Sequence, residues 1–217
     1  MLDKRDALII AGREAFSRDG FAAARIGDIA AAAQVGKGTV YEYFPSKEAL
    51  LLACCLHQCA SDREAIRTAL GNDPELAATI PRDDHVDGQP APTLRDPRQA
   101  LHTILVTALA HLFSESGDNC RLFLELFALA RRNPSLRAEM QPAILQMLEQ
   151  WEGLLHTLIS AGIAAGQFRA HPDVVGLCRQ FSATVDGLML QRTWRDDDGV
   201  TALAERTVHT FISCLEV

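Results

Sequence analysis

Several common architectures are absent from this chain. No apolar run reaches the roughly 20 residues that span a bilayer; the longest are broken by His, Arg, Asp or Gln. The N-terminus, MLDKRDALII, is charged and amphipathic. It has neither the apolar stretch nor the small-residue cleavage site of a signal peptide. No segment alternates apolar and polar residues as a half-buried strand does, and no internal repeat is visible. Gly-x-Ser-x-Gly, a phosphate-cradling glycine loop and His-Glu-x-x-His are all missing, and no paired acid and base residues stand out. Tyrosine is scarce, with two in 217 residues. These absences predict an all-α, cytoplasmic, non-enzymatic protein without a cofactor, its thiols kept reduced.

What is present is helical periodicity and an uneven distribution of charge. Apolar residues make up 48% of the chain, enough for a core. The formal net charge is −7. Residues 1–50 carry seven basic and seven acidic side chains, so the whole excess belongs to residues 51–217. A neutral head must gather its positive charge on one face to meet a polyanion.

About nine helices are expected. The first spans residues 3–18, with Ala7, Leu8, Ala11, Ala15 and Phe16 on one stripe, and Asp19–Gly20 ends it. Phe21 plugs the small core beneath. Short helices follow at 26–34 and 37–44. Pro45 stops the third, and Ser46 caps a fourth that reaches about residue 70. Residues 72–96 hold Pro74, Pro81, Pro90 and Pro92 and read as a long loop. Asp96–Pro97 is an N-cap followed by N1, opening a helix to about 114. Further helices are expected at 119–132, 134–165 with a kink at Pro142, 172–195 and 201–216, with Asp196–Gly199 as the last break.

The stretch from residue 20 to residue 50, GFAAARIGDIAAAAQVGKGTVYEYFPSKEAL, carries the most chemistry. Two short helices meet at Val35–Gly36, a turn tight enough for a helix-turn-helix whose second helix can enter the DNA major groove. Ala30, Ala31 and Ala33 allow close helix approach, and Val35 pins the turn. Lys37, Gly38 and Thr39 open the reading helix: a charge, a bare backbone and a hydroxyl. Tyr41 and Tyr43 lie about 200° apart around it and cannot share one face. Lys47 sits in the first turn of the fourth helix, beside N–H groups that favour phosphate.

The run DIAAAAQVGKGTVYEYFPSKEAL resembles the DNA-binding signature of the TetR family of bacterial transcriptional repressors. Helix count and length also fit that family. The likeness is one of motif over residues 5–55 and of architecture beyond. It implies a three-helix head (1–50) that reads DNA through Arg25, Lys37, Gly38, Thr39, Tyr41, Tyr43 and Lys47. It implies a helical body (51–217) that binds a small molecule and dimerises. The resulting expectation is a repressor that binds a palindromic operator as a homodimer and is released by a small, mostly apolar effector. Three positions depart from the pattern. Ala24 stands where Thr or Ser is frequent, Gln34 where Gly is frequent, and Gly36 where Ser often caps the reading helix.

In the body, the helices at 172–195 and 201–216 carry wide apolar stripes suited to pairing with a second subunit. Effector contacts are expected from Phe123, Phe127, Met147, Trp151, Phe181 and Asp186, the last being a carboxylate among apolar neighbours that needs a partner. Cys54, Cys55, His57 and Cys59 invite an alternative reading as a metal or thiol-redox sensor. Their spacing suits no zinc site, and Cys is also a good small core residue, so no metal is expected. A helical ligand-binding protein without DNA is the other alternative. Packing alone gives no reason for Lys37, Thr39, Tyr43 and Lys47 to occur together.

Overall fold

A computed structural model describes residues 3–69, 94–113, 119–192, 194 and 197–217. Among these the chain is all helical: α1 (Lys4–Ala23), α2 (Ile26–Ala32), α3 (Lys37–Tyr43), α4 (Lys47–Ala69), α5 (Pro97–Leu112), α6 (Asn119–Arg132), α7 (Pro134–Ala164), α8 (Val174–Gln191) and α9 (Asp197–Leu215). The only β-type pairing in the described residues is an isolated bridge between Phe168 and Glu216. The loop expected at 72–96 lies mostly, and the break at Ser116–Asp118 wholly, outside the described residues.

Most helix ends follow local chemistry. Asp96 accepts a hydrogen bond from Gln99 N at 3.1 Å, with Pro97 in the first turn of α5. Ser46 Oγ accepts from Ala49 N at 3.0 Å, and Asn133 Oδ1 accepts from Leu136 N at 3.1 Å. Helix α7 ends where Gly166 takes φ 71°. There Gln167 N bonds back to the Gly162 carbonyl at 2.9 Å, closing the last turn.

Three ends differ from expectation. Gly20 does interrupt α1, at φ 76° and ψ 163°, but helical turns resume beyond it to Ala23. Helix α8 starts at Val174, not residue 172, because Asp173 is the cap: its carboxylate accepts from Gly176 N at 2.7 Å. Helix α9 starts at Asp197, inside the acidic run expected to be a break.

The chain divides into two compact units. One is Met1–Cys59 with Ser114–Pro142; the other is Ala60–Phe113 with Ala143–Val217. The boundary expected at residue 50 falls inside α4, and the unit that holds the head takes in α6 as well. In the first unit α1 packs on α2 and α6, and α2 on α3. Leu8, Ile9, Phe16, Ile29 and Leu50 are fully buried there. In the second unit α9 packs against α5 and α8. A polar cluster closes one end of it. Arg98 Nε donates to Glu216 Oε1 at 2.5 Å, Gln167 Nε2 to Asp96 Oδ1 at 3.0 Å, and Arg169 Nη2 to the Glu216 carbonyl at 2.6 Å. The boundary between the units follows Pro142, within α7, where proline's missing N–H removes a rung of the helical ladder.

Candidate nucleic-acid interface

A seven-residue helix has no stability of its own in water. Helix α3 exists because Val40 is 1% exposed and Phe44, just past its end, is 4% exposed, both sunk in the first unit's core. Truncating a buried Phe to Ala costs about 3–5 kcal/mol, so Phe44 is a large part of what holds the reading helix in place. Arg5 lies over the Phe44 ring, 5.6 Å from its centroid.

With those anchors inward, the rest of α3 faces out. Lys37 and Gly38 are exposed, Tyr41 is 48% and Tyr43 39% exposed, and Thr39 is half-buried. Neither tyrosine is a core aromatic, so both hydroxyls are free to meet a partner. A Cβ built on Gly38 would meet nothing within 4 Å. No contact inside the chain therefore requires glycine there. Arg25 is the N-cap of α2 and its side chain is exposed; its carbonyl accepts from Asp28 N and Ile29 N, each at 3.1 Å. Neither α2 nor α3 has a side-chain cap, since Arg25 and Gly36 stand at those positions. Gln34 adopts φ 57° in the turn. That explains why glycine suits this position, and it identifies Gln34 as a strained residue.

Lys47 also has partners within the chain. Its Nζ donates to the Ala22 carbonyl at 3.4 Å and lies 4.6 Å from the Phe21 ring centroid. Partial burial lowers its pKa, with Glu48 pulling the other way. The ammonium thus ties the start of α4 to the end of α1. Phe21 is also 5.7 Å from Phe16, so it does sit over the expected small core.

One residue of this surface was missed. At 100° per residue, Glu42 points about 180° from the midpoint of Val40 and Phe44, and it is exposed. It occupies the centre of the outward face, with Gly38 beside it. A helical wheel of residues 37–44 was enough to find it; attention to positive charge hid it.

The thiols near His57, Cys54, Cys55 and Cys59, are all buried. Burial pushes Cys54 up to about 12 and Cys55 well above the ordinary thiol range. Cys54 Sγ donates to the Ile9 carbonyl at 3.4 Å and packs where Gly12 leaves room. Burial lowers the His57 pKa, with Arg13 acting in the same direction. No group of three or more His, Cys, Asp or Glu is placed to hold a metal among the described residues.

The six expected effector contacts are split between the units. Phe123 (buried) and Phe127 (half-buried) lie in the first, their ring centroids 6.3 Å apart. Met147 and Trp151 (half-buried), Phe181 (buried) and Asp186 (exposed) lie in the second. Phe181 stacks on Phe211 at 4.5 Å. Asp186 stands on the opposite, exposed side of α8, though apolar neighbours strip enough water from its carboxylate to push its pKa up. The stripe expected to pair subunits is also turned inward in part: Cys178, Leu188, Met189, Val208 and Ile212 are buried in their own chain.

No described helix is long and apolar enough to cross a membrane. Residues 8–54 match the family model described as bacterial regulatory proteins, tetR family. Residues 97–215 match that of the BetI-type transcriptional repressor, C-terminal. The chain is 27% identical over 165 residues to the HTH-type transcriptional repressor NicS of Pseudomonas putida, covering 76% of this chain and 66% of that one. A shorter match to another curated regulator spans 19% of it, so the chain spans less than two thirds of these relatives. The fold is shared with a regulator from Saccharomonospora viridis solved with choline, at TM-score 0.70, 21% identity and 96% and 95% coverage. It is also shared with FadR from Bacillus subtilis in complex with stearoyl-CoA, at TM-score 0.62, 16% identity and 97% and 99% coverage.

Proposed function

Because this chain belongs to the TetR family of bacterial regulatory proteins, we propose that it is a ligand-responsive repressor. It binds a palindromic operator as a homodimer and is released by a small, mostly apolar molecule. The observation that carries the reading is the outward face of α3. There Lys37, Gly38, Thr39, Tyr41 and Tyr43 are offered around a helix anchored only by Val40 and Phe44. Lys37 and Thr39 reach base edges or phosphate at the helix start, the tyrosine hydroxyls flank the groove, and Arg25 meets the backbone.

The test is selection of duplexes from a randomised pool by the purified chain at low salt. Enrichment of an inverted repeat, its half-sites about one helical turn or a multiple apart, is expected. An unenriched pool overturns the reading and leaves a helical ligand-binding protein.

The effector site is proposed in the second unit, beside Met147, Trp151 and Phe181. Linkage requires that operator DNA weaken effector binding by the factor with which effector weakens operator binding. Trp151 emission reports this in a Trp194→Phe background, which removes a tryptophan that is 83% exposed. Stearoyl-CoA is a suitable first titrant, since a protein of this fold is solved with it. Equal affinities for free and operator-bound protein would sink the release mechanism.

A further inference from the structure

The last turn of α3 carries an acidic side chain that nothing described inside the chain uses. Glu42 is exposed there, one residue before the helix ends. A negative charge near a helix C-terminus opposes the helix dipole, so the residue weakens the reading helix. Its neighbours one turn back are Gly38 and Thr39, and neither is charged. Lys37 lies about 140° away around the helix. The Lys47 ammonium is held by the Ala22 carbonyl and the Phe21 ring. Glu42 forms no ion pair among the described residues.

On a surface that receives a polyanion the same charge is a second penalty. A hydrogen-bond donor on the partner offsets both. Glu42 stands opposite Val40 and Phe44, the two buried anchors, so it points to the floor of a groove that α3 enters. Gly38 lies about 6 Å back along the same side, with open space above it. Base edges can therefore come close enough for the carboxylate to touch them. An ionised carboxylate only accepts hydrogen bonds, and the bases differ in what they offer it. Guanine shows two acceptors in the major groove, and thymine shows an acceptor and a methyl group. Adenine sets the acceptor N7 beside its amine, whereas cytosine shows its N4 amine alone.

We propose that Glu42 selects cytosine at one position of each operator half-site, its carboxylate accepting from the N4 amine. This rests on the DNA-binding reading above and adds a specificity-determining residue to it. The charge acts mainly against other sequences. At guanine or thymine the carboxylate faces an acceptor, with no donor to satisfy it. Glu42 thus lowers affinity for DNA in general and restores it where cytosine stands, which widens the gap between the operator and its competitors.

Duplex selection by the full chain as wild type, Glu42→Gln and Glu42→Ala tests the assignment. Fluorescence anisotropy follows, with each of the four base pairs placed where the selections diverge. Wild type should favour cytosine there by about 5- to 150-fold for each half-site. Glu42→Ala should lose preference at that position, keep it at the others, and bind random duplex more tightly. Glu42→Gln has the same shape without the charge. It should turn the preference to adenine, whose N6 and N7 suit a glutamine amide. Both variants should melt no lower than wild type, because the side chain is exposed and has no ion pair to lose. Unchanged preferences in Glu42→Ala, a loss spread evenly over all positions, or a wild-type preference there for another base overturns the assignment while DNA reading stands. A wild-type chain that enriches no sequence overturns the DNA reading itself.

Discussion

Gly38→Ala separates what the fold needs at the reading helix from what DNA needs. The new methyl group enters open space in the free protein, since a Cβ there meets nothing within 4 Å. It costs no packing. It removes a glycine from the second position of a seven-residue helix, which gains about 0.5–1 kcal/mol in helical preference. For a chain of this size that raises the melting temperature by about 1–4 °C. Against an operator the same methyl lies on the outward face, where a backbone or a thymine methyl must approach closely. Overfilling a tight contact costs about 1–3 kcal/mol, or about 5- to 150-fold in affinity for each head. Both heads of a dimer pay it. Circular dichroism melts and fluorescence anisotropy with a selected operator measure the two effects. A melting temperature that falls would show that Gly38 serves the fold. Unchanged operator affinity would show that this face does not meet DNA.

Glu42→Ala should strengthen binding to all duplexes, because it removes a negative charge from the DNA-facing side. It should also erase preference at one base pair, by about 1–3 kcal/mol, since a carboxylate in the major groove is suited to a cytosine amine; unchanged preference in a repeated selection removes Glu42 from the readout. Lys47→Ala is expected to lower the salt slope of operator binding by about one and to lower the melting temperature, because the ammonium also bonds to Ala22; an unchanged slope makes it a structural tie alone. Gln34→Gly relieves φ 57° and, after glycine's larger unfolded-state entropy, should stabilise the chain by about 0.5–1 kcal/mol, readable as a denaturant midpoint shift with constant m. At pH 7–8 a thiol reagent should modify Cys214, the exposed thiol, well before Cys54, whose pKa is about 12. Equal rates at Cys54 would revive the redox-sensing alternative.

The caps at Ser46, Asp96 and Gly166 were readable because their chemistry is local: an oxygen, a proline or a positive φ acts within one turn. The helix-turn-helix was readable for the same reason, from the turn at Val35–Gly36 and the stop at Pro45. Lys47 was not, because its partners, Ala22 and Phe21, are 25 and 26 residues away and only the fold brings them near. In α8, apolar periodicity locates a buried stripe without naming what buries it. Leu188 turned to its own core, while Val175 and Leu190, outside the strongest stripe, were left exposed. The acidic run before residue 201 was read by composition as a break, whereas α9 already begins at Asp197.

The unit that carries the reading helix is not made from the N-terminal residues alone. Helix α6, from the middle of the chain, packs on α1 within that unit. Arg121 joins them: its Nη1 donates to the Ser17 carbonyl at 2.9 Å. Its other terminal nitrogen lies 2.9 Å from where a Cβ on Gly20 would be. The arginine therefore sits at the point where α1 kinks, satisfying a carbonyl near the end of a helical run, where positive charge is favoured. With α6 built into the unit, any displacement of α6 must either carry Ser17 with it or break a charged hydrogen bond to a partly buried backbone group. Each outcome changes the support beneath α2, which packs on α1, and so beneath α3, which packs on α2.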